Sequence, residues 1–80
     1  MKLPVIKHLA ETFTLEQLKA AEEAILNEQK PVIEIEGSDE GEQLTHTIAA
    51  IAIIEDMAKN NVDIRTAMRN YTQRVRNSIS

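Results

Sequence analysis

Residues 48–54 read Ile-Ala-Ala-Ile-Ala-Ile-Ile, an apolar run with no polar interruption inside a stretch that otherwise looks helical. No single helix face can hold it. At about 100° per residue, with Ile48 at zero, Leu44, Ile51 and Ile54 fall at about 320°, 300° and 240°, and Ile53 and Met57 at about 140° and 180°. Ala49 and Ala52 fill the remaining sector. An ordinary surface helix has an apolar stripe a little over ~100° wide and a polar back, and the middle turns of this helix have no polar back. Full burial of the four isoleucines is worth roughly 6–12 kcal/mol gross, against a net stability of about 5–15 kcal/mol for a small domain. A membrane span would need roughly 20 apolar residues, and this run stops at Glu55-Asp56. The helix must therefore lie between partners, and a chain of 80 residues has few to offer. The expectation is self-association, a dimer first, through Ile48, Ile51, Ile53, Ile54 and Met57.

Length and composition support that expectation. The 80 residues make a single helical domain, 1–80. A chain of this size buries only about 60–65% of its unfolded surface, and small scaffolds need a staple. There is no cysteine, so disulfides and thiolate metal sites are excluded, and oligomerisation remains. The opening Met1-Lys2-Leu3-Pro4-Val5-Ile6-Lys7-His8 does not read as a signal peptide, because Lys7 and His8 break its apolar stretch. The expected location is the cytoplasm. A net charge of −4 argues against nucleic acid or an anionic membrane as a general partner.

The fold class expected is all-α, three to four helices with one extended link. Pro4 suits a first helical turn, and Ile6, Leu9, Ala10 and Phe13 recur at helical spacing, giving a helix over about 4–11. Thr14-Leu15-Glu16-Gln17 is a capping box, with Phe13 and Leu18 as its hydrophobic staple. The second helix then runs to about Glu28, and Pro31 stops it at or before Lys30. From Ile33 to Glu36 apolar and acidic residues alternate with the period of a strand. A lone short strand is marginal, so residues 32–36 form either an extended link or a strand paired with its copy in a second subunit, ended by Gly37. Ser38 or Asp39 caps the long third helix, which runs to about Asn60 with acids at its positive end. Asp63 caps a last helix over about 64–78, where Ile64, Met68, Tyr71, Val75 and Ile79 share an arc of about 80°.

Charge is segregated along the chain. Residues 1–63 hold five lysines and all 13 acids, whereas residues 64–80 hold four arginines and no acid. Arg65, Arg69 and Arg76 project along one stripe, away from the apolar face, and Arg74 lies apart beside Ala67. Pairing with Glu34, Glu36, Asp39, Glu40 and Glu42, or plain solvation, accounts for the stripe. The alternative is an anion or partner contact, since the planar guanidinium suits phosphate. In a helix-turn-helix reading, Arg65, Arg69, Asn70 and Gln73 would face base edges. The chain lacks the basic balance and stacking aromatics of a nucleic-acid binder.

Glu42 and His46 stand at i, i+4, and His8 and Glu11 at i, i+3. Copies of such pairs on facing helices can build a metal site, but the same spacing also simply stabilises helices. The reading favoured is a partly buried His46 bonded to Glu42 or to a threonine neighbour. With two histidines, no cysteine and no glycine-rich phosphate loop, nothing supports nucleophilic or phosphoryl-transfer catalysis. No catalytic residue, metal or cofactor is expected.

Met1-Lys2-Leu3-Pro4-Val5-Ile6-Lys7-His8-Leu9, taken with Gly41-Glu42-Gln43-Leu44-Thr45-His46 and Arg74-Val75-Arg76-Asn77-Ser78-Ile79, resembles a family of short bacterial proteins of unknown function. The resemblance implies a small helical cytoplasmic protein and transfers no catalytic residue. The function expected is a non-enzymatic interaction or regulatory module that self-associates through its third helix. The alternative is a small nucleic-acid-binding protein using its last helix.

Overall fold

The computed structural model describes residues 2–79, except for the side chain of Ile79. The expected place of Ile79 in the apolar stripe therefore lies outside the described residues. Four helices follow in order: α1 (Leu3–Thr12), α2 (Leu15–Leu26), α3 (Glu40–Asn60) and α4 (Ile64–Ile79). No strand occurs among the described residues. None of their helices is long and apolar enough to cross a membrane.

Local chemistry sets the boundaries. Pro4 lies in the first turn of α1. The Thr14 hydroxyl accepts the Gln17 N–H at 3.2 Å, and Gln17 Oε1 accepts the Thr14 N–H at 2.9 Å. That is the reciprocal box its spacing predicts. Asp39 rather than Ser38 caps α3, accepting the Glu42 N–H at 2.7 Å. Asp63 caps α4 through the Thr66 N–H at 2.8 Å. Helix α2 stops two residues earlier than its pattern predicts. Glu28 turns to positive φ, and the Gln29 N–H reaches back to the Ala24 carbonyl at 2.8 Å, a 6→1 closure that satisfies a terminal carbonyl. Asn61, in the left-handed region at φ 53°, ends α3.

Helix α3 is the axis of the molecule. Its 21 residues span about 31 Å at 1.5 Å per residue, matching the longest dimension of 31 Å. Helices α1, α2 and α4 all pack on it. Its buried positions, His46, Thr47, Ala49, Ala50, Ile51, Ile53 and Asp56, cover an arc of about 220°. The chain therefore supplies three neighbours for its own apolar run. This corrects the expectation that one chain cannot enclose it: Ile53 is 1% exposed and Ile51 8% without any second copy. Ile54 and Met57 are half-buried against the same core.

The segment between α2 and α3 is an irregular link, bent at Val32 and Ile33, and not a strand. Ile35 is buried and Ile33 half-buried, while Glu34 and Glu36 face solvent. The alternation thus seats the link on the core without a ladder. Gly37 closes it for a steric reason: a Cβ there would lie 2.8 Å from Gln43 Cγ and 2.9 Å from the Gln43 backbone nitrogen.

Candidate functional site

The sector of α3 that its own chain covers least carries the exposed Gly41, Thr45, Ile48, Glu55 and Lys59 and the half-buried Leu44 and Ala52, an arc of about 100°. Residues of α2 and α4 flank it at the end formed by Ala52, Glu55 and Lys59. At that end lies an open cleft of about 630 Å³, with Leu15 of α2 and Arg74 of α4 on either side of Ala52, Glu55 and Lys59. Lys19 on α2 bridges to Glu55 at 3.8 Å, both side chains about half exposed. Helix α2 runs antiparallel to α3, since Ile25 and Gln29 lie by Glu40 and Gln43 at the other end. Seven residues on from Lys19, and seven back from Glu55, stand Leu26 and Ile48. They are two of the most exposed large apolar residues of the chain, at 62% and 42%. Two helical turns from the Lys19–Glu55 contact, they are set at about the same height along α3 by the antiparallel packing.

Of the residues expected at an oligomer interface, Ile48 alone lies on this open strip. Ile51 and Ile53 are buried within the chain, and Ile54 and Met57 lie half-buried on the far side of α3. Leu26, which belongs here, escaped the sequence reading. The signal was its place one turn after Glu22 and two after Lys19, outside the Leu18/Ala21/Ile25 face.

The arginines divide into two groups. Arg65, Arg69 and Arg76 are exposed on α4. Arg65 and Arg69 act on their own helix cap. Asp63 is held below the ordinary carboxylate value first by the Thr66 N–H and hydroxyl, and then by these two guanidiniums. Arg74 faces the cleft and Asp56.

Asp56 is a tie between helices that sequence reasoning missed. Only 9% exposed, it accepts Nδ2–H of Asn60 on its own helix and Nδ2–H of Asn70 on α4, the latter at 3.2 Å. Its pKa is lowered by Asn60 first, then Asn70 and the charge of Arg74, with burial opposing. The signal was an acid four residues before an asparagine at the end of an apolar run. Asn70 is thereby committed inside the hairpin and is not free for a base edge. Among the described residues of α4 the one buried is the small Ala67 (0%), while Ile64, Met68, Tyr71 and Val75 are half-buried. A small side chain at the seam lets the helices approach closely enough for Asn70 to reach Asp56.

His46 is fully buried (0%), and its partners are not those expected. Neither Glu42 nor a threonine bonds it. Its Nε2 accepts the Lys2 backbone N–H at 3.0 Å, and its Nδ1–H donates to the Glu36 carbonyl at 2.7 Å. A ring that accepts at one nitrogen and donates at the other is neutral and of fixed tautomer. Both nitrogens are occupied, so a metal at His46 would have to displace a backbone group. Glu42 binds the Ser38 hydroxyl through Oε2 at 3.1 Å and leaves Oε1 buried without a partner. His8 is exposed and contacts Thr12 rather than Glu11. Among the described residues no three His, Asp or Glu side chains are grouped to hold a metal.

A family model described as a family of unknown function (DUF6952) matches residues 1–80. The chain belongs to that family. No curated protein and no solved structure matches it. Membership agrees with the resemblance carried by the opening, central and closing segments. What the protein does must be argued from its surface.

Proposed function

We propose that this DUF6952 member is a non-enzymatic, self-associating helical module of the bacterial cytoplasm. Its contact face is the open strip of α3 centred on Ile48. The observation that carries the reading is the exposure of Ile48 and Leu26, 42% and 62%, on helices whose Lys19–Glu55 contact two turns away sets them at about the same height along α3. Ile48 stands in the middle of the central helix, where every deeper isoleucine is already covered. Exposed apolar side chains on a helix face favour a helical partner, read by anchors at three- and four-residue spacing. The supports for a role without catalysis are the occupied ring of His46 and the scattered arrangement of the acids.

Sedimentation of the full chain at tens of micromolar tests the reading. The expected mass is twice 9.0 kDa. Ile48→Asp should return it to a single chain while leaving the helical circular dichroism unchanged, because that position is open in the folded chain. A single-chain mass for the unmodified protein over that range overturns the proposal.

The exposure of Arg65, Arg69 and Arg76 along α4 supports nucleic-acid binding as a second reading. It predicts affinity that falls steeply as salt rises and is lost in the triple alanine variant. No retention of duplex or single-stranded DNA or RNA at low salt would remove it.

A further inference from the structure

The open strip of α3 is complementary to itself when reversed, and we infer that two copies pair antiparallel across it, with Ile48 and Leu26 at the two-fold axis. The inference rests on the self-association reading and adds its geometry. With the axis at Ile48, a residue n positions after it in one copy meets the residue n positions before it in the other. Ala52 then faces Leu44 of the second copy, small against large. Glu55 faces Gly41, where no side chain obstructs it. Lys59 meets position 37, just ahead of the second copy's α3, and its long side chain reaches toward Asp39 and Glu40, both exposed. Arg74, beside Lys59 in the cleft, adds a second cation on the same side. A parallel pairing would instead set Lys59 on Lys59 and Glu55 on Glu55.

Antiparallel pairing also lays the positive end of each α3 beside the negative end of the other, a favourable arrangement of helix dipoles. Leu26 is placed by the same geometry. It shares the level of Ile48, so a two-fold axis through Ile48 brings the second Leu26 alongside the first, above the paired α3 helices. Two of the chain's large exposed apolar side chains are thereby covered by one symmetric contact.

The chain's lack of cysteine makes the axis directly testable. A disulfide between identical positions forms only where two copies bring their Cβ atoms to about 3.5–4.5 Å. Ile48→Cys and Leu26→Cys, each made alone in the full chain, should give a covalent dimer on mild oxidation at low micromolar concentration. Leu3→Cys, on α1 and also 42% exposed, should stay a single chain.

Charge reversal tests the register separately. Lys59→Glu and Glu40→Lys should each weaken the dimer by roughly tenfold, by setting like charges together at two symmetric contacts. An equimolar mixture of the two variants should restore it, since both contacts become opposite in sign. If the unmodified chain sediments as a dimer but neither cysteine cross-links, or the mixture dissociates as readily as each variant alone, the antiparallel geometry is wrong and self-association stands. If the unmodified chain sediments as a single copy, both fall.

Discussion

The two ends of α3 are fastened to the rest of the molecule by opposite chemistry. Near its start, His46 ties three segments together: α3, the residue that precedes α1, and the end of the link. It does so fully buried and uncharged. Near its end, Asp56 ties α3 to α4 with a carboxylate kept at the water's edge. Burial explains the division. A neutral imidazole can satisfy both its nitrogens with two backbone groups and bring no charge into the interior. A carboxylate carries a large desolvation cost unless it is paired or well hydrogen-bonded. Asp56 meets that condition with two asparagine amides and the nearby guanidinium of Arg74.

Removing the buried tie should cost most. His46→Ala would open a cavity and strand the Lys2 N–H and the Glu36 carbonyl, a loss of about 3–5 kcal/mol by analogy with other large-to-small core changes. That is a large share of the stability of a small domain. His46→Gln offers one donor and one acceptor on a flexible stem and should recover part of the loss. Urea unfolding of the three proteins checks this. If His46→Ala and His46→Gln are equally stable, the ring's value lies in filling space and not in tying backbone.

A gentler attack on the same end is Gly37→Ala. The added Cβ meets the Gln43 backbone nitrogen at 2.9 Å, which cannot swing aside as a side chain would. The link must then lift from α3, pulling the Glu36 carbonyl from His46. The expected loss is about 1–3 kcal/mol, typical of overpacking. Hydrogen exchange should show it at residues 33–37 and at Lys2, with the α3–α4 hairpin unaffected. Faster exchange spread evenly over both ends would break the distinction drawn between them.

The two ends also differ in how far they can be read from the chain itself. Caps are local. Thr14 with Gln17, Asp39 with Glu42 and Asp63 with Thr66 each act within three residues, and the starts of α2, α3 and α4 are legible for that reason. Pro31 placed the end of α2 only to within a turn, because the closing bonds at Ala24 and Gln29 depend on Glu28 adopting positive φ. The His46 tie is invisible in sequence, since its partners are backbone groups 44 and 10 residues away. A backbone N–H has no residue identity to recognise. The apolar run from Ile48 to Ile54 correctly reports that α3 is surrounded, but it cannot report by what. α1, α2 and α4 fill most of the circle. The part left open is marked by Ile48 and by Leu26, a residue on a different helix whose relevance appears only when Lys19 and Glu55 set the register.

The smallest effect is expected at the wet end, and it should depend on pH. The folded pKa of Asp56 lies below its ordinary value. The unfolded chain therefore binds this proton more readily than the folded one. Stability from the carboxylate is fully present above the unfolded value of about 4 and is lost as pH falls through the lower folded value. Asp56→Asn keeps an oxygen to accept from Asn60 or Asn70 but removes the charge. At neutral pH the variant should be slightly less stable than the parent, and the gap should close on acidification below about pH 4. Asp63, depressed by Thr66 and then by Arg65 and Arg69, contributes an acid response of the same sign. The single variant should therefore flatten the acid limb only in part, and adding Asp63→Asn should flatten it further. Thermal melts from pH 2 to pH 7 on the parent and the two variants would decide the matter. A stability gap for Asp56→Asn that stays constant down to pH 2 would mean that the carboxylate acts through shape, as His46 does, and the contrast between the two ends would fail.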